Sequence, residues 1–419
     1  MSCRISSWSF LILLVLGVSF WSPASLPAAD DPPAAKEPVD IEELEKEWDA
    51  LVVKRDKLTK KLQVLSEEFR TLQPTAASPK GKNPQRIAEI QKEFETSVEE
   101  FNTKTTPRME EILPTLAKAK YKLYLKNPKD KKAEEILFNY LQMSYASKQR
   151  YSEVAAIGKK LVEAGNKNPM VLNLTGASLF CEHQFEEAKT ILELAAKDKT
   201  QDGQGIFAEV GEKFLADCND YLKFWSKEQE LRQQEEQAAG EAKNPRVLFT
   251  TTKGDIEIEL FEDQAPNTVA NFISLVEKGK YDNVGFHRVL PNFMAQGGDP
   301  NTLNDDIDDD GTGGPGYTIK CECNREDARM HFAGTLSMAH AGQDTGGSQF
   351  FITYLPTSHL NNKHTVFGRI VKGLDVAKQF EQGQPVGPGM DRIKTAKVLN
   401  KRNHEYVPET SPERKRGLK

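Results

Sequence analysis

From Ile41 to Leu72 apolar side chains return at alternating three- and four-residue steps: Ile41, Leu44, Trp48, Leu51, Leu58, Leu62, Leu65, Phe69 and Leu72, with Arg55 in one core slot. That period holds one stripe on a helix and predicts a coiled-coil-like seam. Pro74 and the run TAASPKGKNP end it, and Ile87, Ile90, Phe94, Val98 and Phe101 start a second helix. The short link predicts an antiparallel helical hairpin over 41–105. The same stripe would serve two helices that pack only on each other, a dimer interface or a docking arm.

Shorter helical units follow over 106–230. Within them Gln149–Val154 (QRYSEV) resembles His183–Ala188 (HQFEEA) at an offset of 34 residues, and the second unit carries Gly176, Ala188, Leu192 and Ala195. Small residues and knobs at those places suit the close helix pairs of a tetratricopeptide-like repeat, whose concave face binds peptides or proteins. The first unit has Gln142 where Gly176 stands in its partner. An ordinary helical bundle with one coincidental match carries the same signal. The polar run 226–243 reads as a helix fading into a linker over 231–245.

At Asn244-Pro245 the period drops to two. Val247–Thr252 is β-branched and aromatic, Lys253-Gly254-Asp255 makes a turn, and Ile256, Ile258 and Leu260 alternate with Glu257 and Glu259. That predicts a hairpin of half-buried strands. Thr268–Val276 has helical spacing with Asn267 or Thr268 as its cap. Short strands with Gly-rich turns continue to Arg369 and predict a closed antiparallel β-barrel. The expected fold is therefore two-part, all-α over the N-terminal half and a β-barrel over 246–400, with a C-terminal tail at 401–419 that frays beyond Pro412.

Arg4 precedes an apolar stretch from Trp8 to Trp21, and small residues follow it through Ala29. This is the layout of a bacterial secretory signal peptide over 1–29, cut near Ala28 or Ala29, with a linker over 30–40. The stretch is shorter than the ~20 residues of a spanning helix. Export to the periplasm or medium is the expectation, with an uncleaved anchor as the alternative and no membrane span after cleavage.

Composition narrows the function. The formal charge of -6, from 56 basic and 62 acidic residues, has the wrong sign for a nucleic-acid binder. Five cysteines do not make a disulfide scaffold. Cys321-Glu322-Cys323 is a tight pair expected to stay as two free thiols, and the His and Cys spacings match no zinc ligand set.

Three runs are more specific: Gly285–Asp299 (GFHRVLPNFMAQGGD), Gly334–Ala339 with Gly346–Ile352 (GTLSMA, GGSQFFI), and Leu360–Gly368 (LNNKHTVFG). In this order and spacing they resemble the motifs of cyclophilin-type peptidyl-prolyl isomerases, over a little more than a third of the chain. The resemblance implies rotation of X-Pro bonds in proline-containing polypeptides, without a cofactor. It implies that Arg288 is the electrostatic catalyst and that Gln296 orients Arg288 or holds the substrate carbonyl. Phe293, Met294, Phe351, Leu360 and His364 would grip the proline ring, and Ala339, His340, Ala341 and Gln349 would line the groove for the preceding residue. Their chemistry fits: an apolar slot beside a permanently charged fork of donors.

The sequence departs from the family at His359, where many eukaryotic relatives carry Trp on the pocket rim, and at His340, often Asn. Weak inhibition by cyclosporin with catalysis retained is expected; a sub-micromolar inhibition constant would contradict it. An acidic insertion, Asn304–Gly311, places Asp306, Asp308 and Asp310 as the first half of a calcium-loop pattern without its closing Glu. Weak Ca²⁺ binding and a plain solvated loop are both open. Two functions follow: an isomerase for exported proteins, with helices that bind clients, a partner or a second copy, or a proline-peptide-binding scaffold with little turnover.

Overall fold

The computed structural model describes residues 40–72, 83–146, 149–198 and 200–412. The expected signal segment, the linker up to 39, the link after Pro74 and the tail beyond Pro412 lie outside these residues. No helix among them is long and apolar enough to cross a membrane. The chain divides into two compact units, residues up to 143 with 163–166, and residues 144–162 with 167 onward.

The first unit is helical. Helix α1 (Ile41–Leu72) packs against α2 (Pro84–Glu100), which passes through one wide turn (Phe101–Thr105) into α3 (Thr106–Lys126). Leu62 and Leu65 meet Ile90 and Phe94, with Phe69, Leu72 and Val98 around them. Arg86 grips both oxygens of Glu68 at 2.7 and 2.8 Å, and Arg108 grips both of Glu47 at the same distances. One partner number falls as the other rises, so the pairing is antiparallel. The helical run is not broken at 105/106. Pro107 lies in the first turn of α3, where its missing N–H is cheapest, and the wide turn absorbs the mismatch. Helix α4 (Lys131–Ala146) ends the unit's helices, and its residues from Ser144 on belong to the second unit.

The second unit opens with α5 (Tyr151–Glu163), α6 (Pro169–Cys181) and α7 (Phe185–Ala196), then α8 (Gln201–Ile206), which runs through a wide turn into α9 (Glu212–Gln237). Every residue of α6 from Val171 to Cys181 is buried. A Cβ on Gly176 would lie 2.5 Å from Leu192 Cγ, which shows how closely α6 and α7 approach. Phe180, Phe185, Tyr221 and Phe332 share one core with Trp225 and Met330, so helices and β-layer are joined by a common apolar cluster.

The β-layer is an eight-stranded antiparallel sheet of β1 (Arg246–Thr251), β2 (Asp255–Leu260), β3 (Arg288–Leu290), β4 (Met294–Gly297), β6 (Thr335–Met338), β7 (Phe350–Thr353), β8 (Val366–Lys372) and β9 (Ile393–Asn400) in the order β3-β4-β7-β6-β8-β2-β1-β9. It curls without a continuous ladder between β3 and β9. Isolated bridges Gly285–Arg392 and Val289–Gly383 span that side, so the closed barrel expected from the sequence is instead a curled sheet. Helix α10 (Pro266–Glu277) covers the sheet's core. Its start is not capped by Asn267 or Thr268. Pro266 takes the first turn, and the Glu322 carboxylate accepts from the N–H groups of Asn267 and Thr268 at 3.1 and 2.8 Å.

Two further expectations change. The segment from 231 is not all linker, since α9 continues to Gln237 and its polar side chains meet polar partners. Glu228 takes Arg329 in two bonds of 2.8 and 2.9 Å, Glu235 takes Arg329 at 2.6 Å, and Arg369 bonds Glu259 at 2.9 Å. Composition hid a buried face because ion pairs bury it. Residues 401–412 are packed as well: Tyr406 donates to Glu262 at 2.6 Å, Arg402 grips Asp263, and β10 (Ser411–Pro412) pairs with β5 (Tyr317–Thr318).

Candidate functional site

The hairpin β3–β4 sets Arg288 opposite Gln296, and β4–β7 sets Gln296 opposite Phe351. Ladder register thus brings together residues from separate segments. Arg288 Nη1 donates to Gln296 Oε1 at 3.4 Å, Gln296 Nε2 donates to Gln349 Oε1 at 3.0 Å, and Gln349 Nε2 donates to Gly313 O at 2.9 Å. Arginine can only donate, so it fixes the orientation of both amides. Gln296 is committed to Arg288 and Gln349. Burial draws the Arg288 pKa down from the usual arginine value, its Nε is buried without a partner, and no carboxylate pairs with it among the described residues. A guanidinium stays protonated at neutral pH even so. The result is a fixed, unneutralised charge whose remaining donors face a groove.

That groove is about 270 Å³ and is lined by Arg288, Phe293, Met294, Gln296, Ala339, His340, Ala341, Gln349, Phe351, Leu360 and His364, with the loop Gly311–Pro315 along one side. The structure brings together every residue expected from the sequence except His359. That side chain is exposed and stacks on Phe293 at 5.6 Å and 30°, outside the groove's lining. Partial desolvation on its packed side, with the charges of Lys213 and Lys363, keeps its pKa below the usual imidazole range. Met294 and Phe351 form the floor, only 2 % and 5 % exposed. The His364 ring stands edge-on to Phe351 at 5.4 Å and face-on to His340 at 4.1 Å. Its Nδ1 lies 3.0 Å from Met338 O, which requires a proton there, and burial lowers its pKa. His340 bonds Lys363 O through Nε2 and accepts Gly342 N–H through Nδ1, which assigns its tautomer.

Two glycines permit this packing. Gly298 has φ of 84°, and a Cβ there would lie 2.4 Å from Ser348 O. A Cβ on Gly313 would lie 2.2 Å from Asp299 Oδ1, so only glycine lets that loop reach Gln349. The calcium candidate does not assemble. Asp306 accepts from Asp308 N–H at 3.1 Å as the cap of a short turn, and both side chains are exposed. Burial beside Asp299 and Asp309 raises the Asp310 pKa. No three acidic, His or Cys side chains converge on a cation position among the described residues. Cys321 and Cys323 carry free thiols, as do Cys181 and Cys218.

Sequence reasoning missed the residues behind the walls. The His331 ring lies parallel to Phe351 at 5.9 Å and 4°, held by Asn361 and Ser337. Buried Asp299 accepts from Asn301 and Gly313 N–H groups. Asn292, just before Phe293, is bonded by residues over 140 positions away. Asp299 and Asn292 lie inside the first motif, and Ser337 and Asn361 inside the other two, while His331 lies outside all three; what ties each of them depends on contacts that no spacing encodes.

Residues 246–400 match the family described as cyclophilin type peptidyl-prolyl cis-trans isomerase/CLD. The chain is 55 % identical over 128 residues to the peptidyl-prolyl cis-trans isomerase B of Bacillus subtilis, covering 84 % of that protein and 30 % of this one. It is 46 % identical over 156 residues to a peptidyl-prolyl cis-trans isomerase of Synechococcus elongatus, covering 96 % of that protein and 37 % of this one. A crystal structure of a cyclophilin-type isomerase from Cryptosporidium parvum aligns with 31 % identity and a TM-score of 0.34, covering 98 % of that chain and 38 % of this one.

Proposed function

This chain belongs to the cyclophilin-type peptidyl-prolyl cis-trans isomerases, and from that premise we propose that it turns X-Pro bonds of exported polypeptides by the pairing of Arg288 with the apolar groove. The two isomers of such a bond differ by ~1 kcal/mol, but amide resonance sets a barrier of ~18–20 kcal/mol between them. Catalysis therefore needs no bond to break. The proline ring sits against Phe293, Met294, Phe351 and Leu360, and the preceding residue lies along Ala339, His340, Ala341 and Gln349. Holding the ring while the acyl side rotates costs the nitrogen its resonance and makes it pyramidal. Arg288 donates toward that nitrogen as its lone pair localises, a charge that exists only in the transition state. Gln296 acts on Arg288 rather than on substrate, because both ends of its amide are engaged.

The observation that carries this reading is a half-buried guanidinium without a carboxylate partner among the described residues, oriented by a one-way amide relay at the edge of a ring-sized apolar slot. Replacing Arg288 with Ala in the full chain should lower kcat/KM in a proline-peptide exchange assay by roughly 10²–10³-fold. Equal turnover by the variant would refute the assignment and favour a binding scaffold. The proposal that clients are exported proteins is supported by the Arg4–Ala29 pattern. N-terminal sequencing of the chain from extracytoplasmic fractions should find a start near residue 30; an intact Met1 start confined to the cytoplasm would remove it.

A further inference from the structure

The walls of the groove stand on turns, and the turns are held by the helices of the same unit. Asn292 has φ of 55°, and its backbone N–H and both ends of its side-chain amide are bonded to Ala146, Gln149 and Tyr151, between the end of α4 and the start of α5. Tyr151 Oη donates to Asn292 Oδ1 at 2.5 Å, Asn292 Nδ2 donates to Ala146 O at 3.1 Å, and Asn292 N donates to Gln149 Oε1 at 3.0 Å. Phe293 is the next residue. On the opposite wall Ser358 Oγ donates to Asp217 Oδ2 of α9 at 2.7 Å, two residues before Leu360. Behind the floor, Tyr221 of α9 donates to the His331 carbonyl at 2.9 Å, and the His331 ring backs Phe351. Tyr151 and Tyr221 are 1 % and 0 % exposed, so these are built contacts and not surface encounters.

We propose that Tyr151, Asp217 and Tyr221 are positioning residues of the isomerase, holding Phe293, Leu360 and Phe351 at ring-binding distance. This rests on the reading of those three side chains as the proline slot. A slot open to solvent along one side has walls on short turns, which move unless their polar groups are tied. Preformed walls lower the ordering cost of binding. The helices then serve affinity for the proline ring, while Arg288 serves the rate at saturation.

The test uses the full chain with the variants Asp217→Ala, Asp217→Asn, Ser358→Ala, the Asp217→Ala/Ser358→Ala pair and Tyr151→Phe. Three quantities are read for one Xaa-Pro peptide: kcat, KM and the Kd by calorimetry, beside a thermal melt. Loss of a single tie should raise KM and Kd about fivefold, with kcat within about twofold. The pair should be no worse than either single change, because both remove one bond. Asp217→Asn keeps an acceptor for Ser358 and should restore binding. Tyr151→Phe deletes only an oxygen and keeps the packing, so it reports even if Asp217→Ala folds poorly. Unchanged Kd and KM in Asp217→Ala and Tyr151→Phe, beside an active parent, would overturn the positioning role alone. A parent that neither binds nor turns over the peptide would overturn the slot, and the positioning role with it.

Discussion

Two regions of the molecule use the same chemistry under opposite conditions. In the first unit Arg86 and Arg108 grip Glu68 and Glu47 with both nitrogens, and the Arg86 and Glu68 side chains keep about a third of their surface in water, 32 % and 35 %. Between α9 and the sheet Arg329 grips Glu228 with the same geometry, and those side chains are 1 % and 5 % exposed. Burial alone would push the Glu228 carboxyl up, yet Arg329 and Arg232 hold it below the usual carboxylate range. A pair in water adds little beyond solvated ions, whereas a buried pair is stable only while complete. The lesson is that ion-pair geometry does not report stability until burial is known.

The comparison can be broken at three levels. Arg329→Ala takes two of the bonds from Glu228 in a dry site, leaving it Arg232 alone at hydrogen-bond distance, and should destabilise the Trp225-reporting unfolding transition by up to about 3–5 kcal/mol in urea; an effect below 1 kcal/mol would place this pair with the exposed ones. Acid gives a graded effect. Burial lowers His183 and His331 to about 3 from an ordinary 6.5, so both stay neutral in the fold while the unfolded chain takes up protons. Stability therefore falls as pH drops from 6.5 toward 3, by ~1.4 kcal/mol per pH unit for each ring. Chemical denaturation at pH 6, 5 and 4 should show that slope, and His183→Asn should reduce it; a flat profile would contradict the burial argument. The smallest effect is expected for Arg86→Ala, with no resolvable change in melting temperature and none in its salt dependence above physiological ionic strength.

Much of this was legible along the chain. The stripe from Ile41 to Leu72 gave a real helix, the two-residue period gave β1 and β2, and three runs of sequence held most of the groove's lining, His340, Ala341 and the loop Gly311–Pro315 lying outside them. Those signals are local, set by neighbours within a turn or a strand. What stayed hidden is non-local. Glu228 and Glu235 look like solvated helix residues because nothing nearby reveals Arg329 and Arg369. Asn292 and Ser358 look like ordinary turn residues because their partners are some 140 positions away. Asp306, Asp308 and Asp310 misled in the other direction, since a ligand-like spacing does not make side chains converge.

The stretch Arg329–Ala333 belongs to the sheet by sequence and to the helices by burial, with Met330 and Phe332 inside the helical cluster and Ala333 N–H bonded to His183. Truncation at the family's own border, before Arg246, would strip that cover. The excised piece would present a greasy aromatic and a bare guanidinium on one patch, a recipe for aggregation in the test tube. Excision for crystallography or inhibitor screening would be better begun upstream of Gln149.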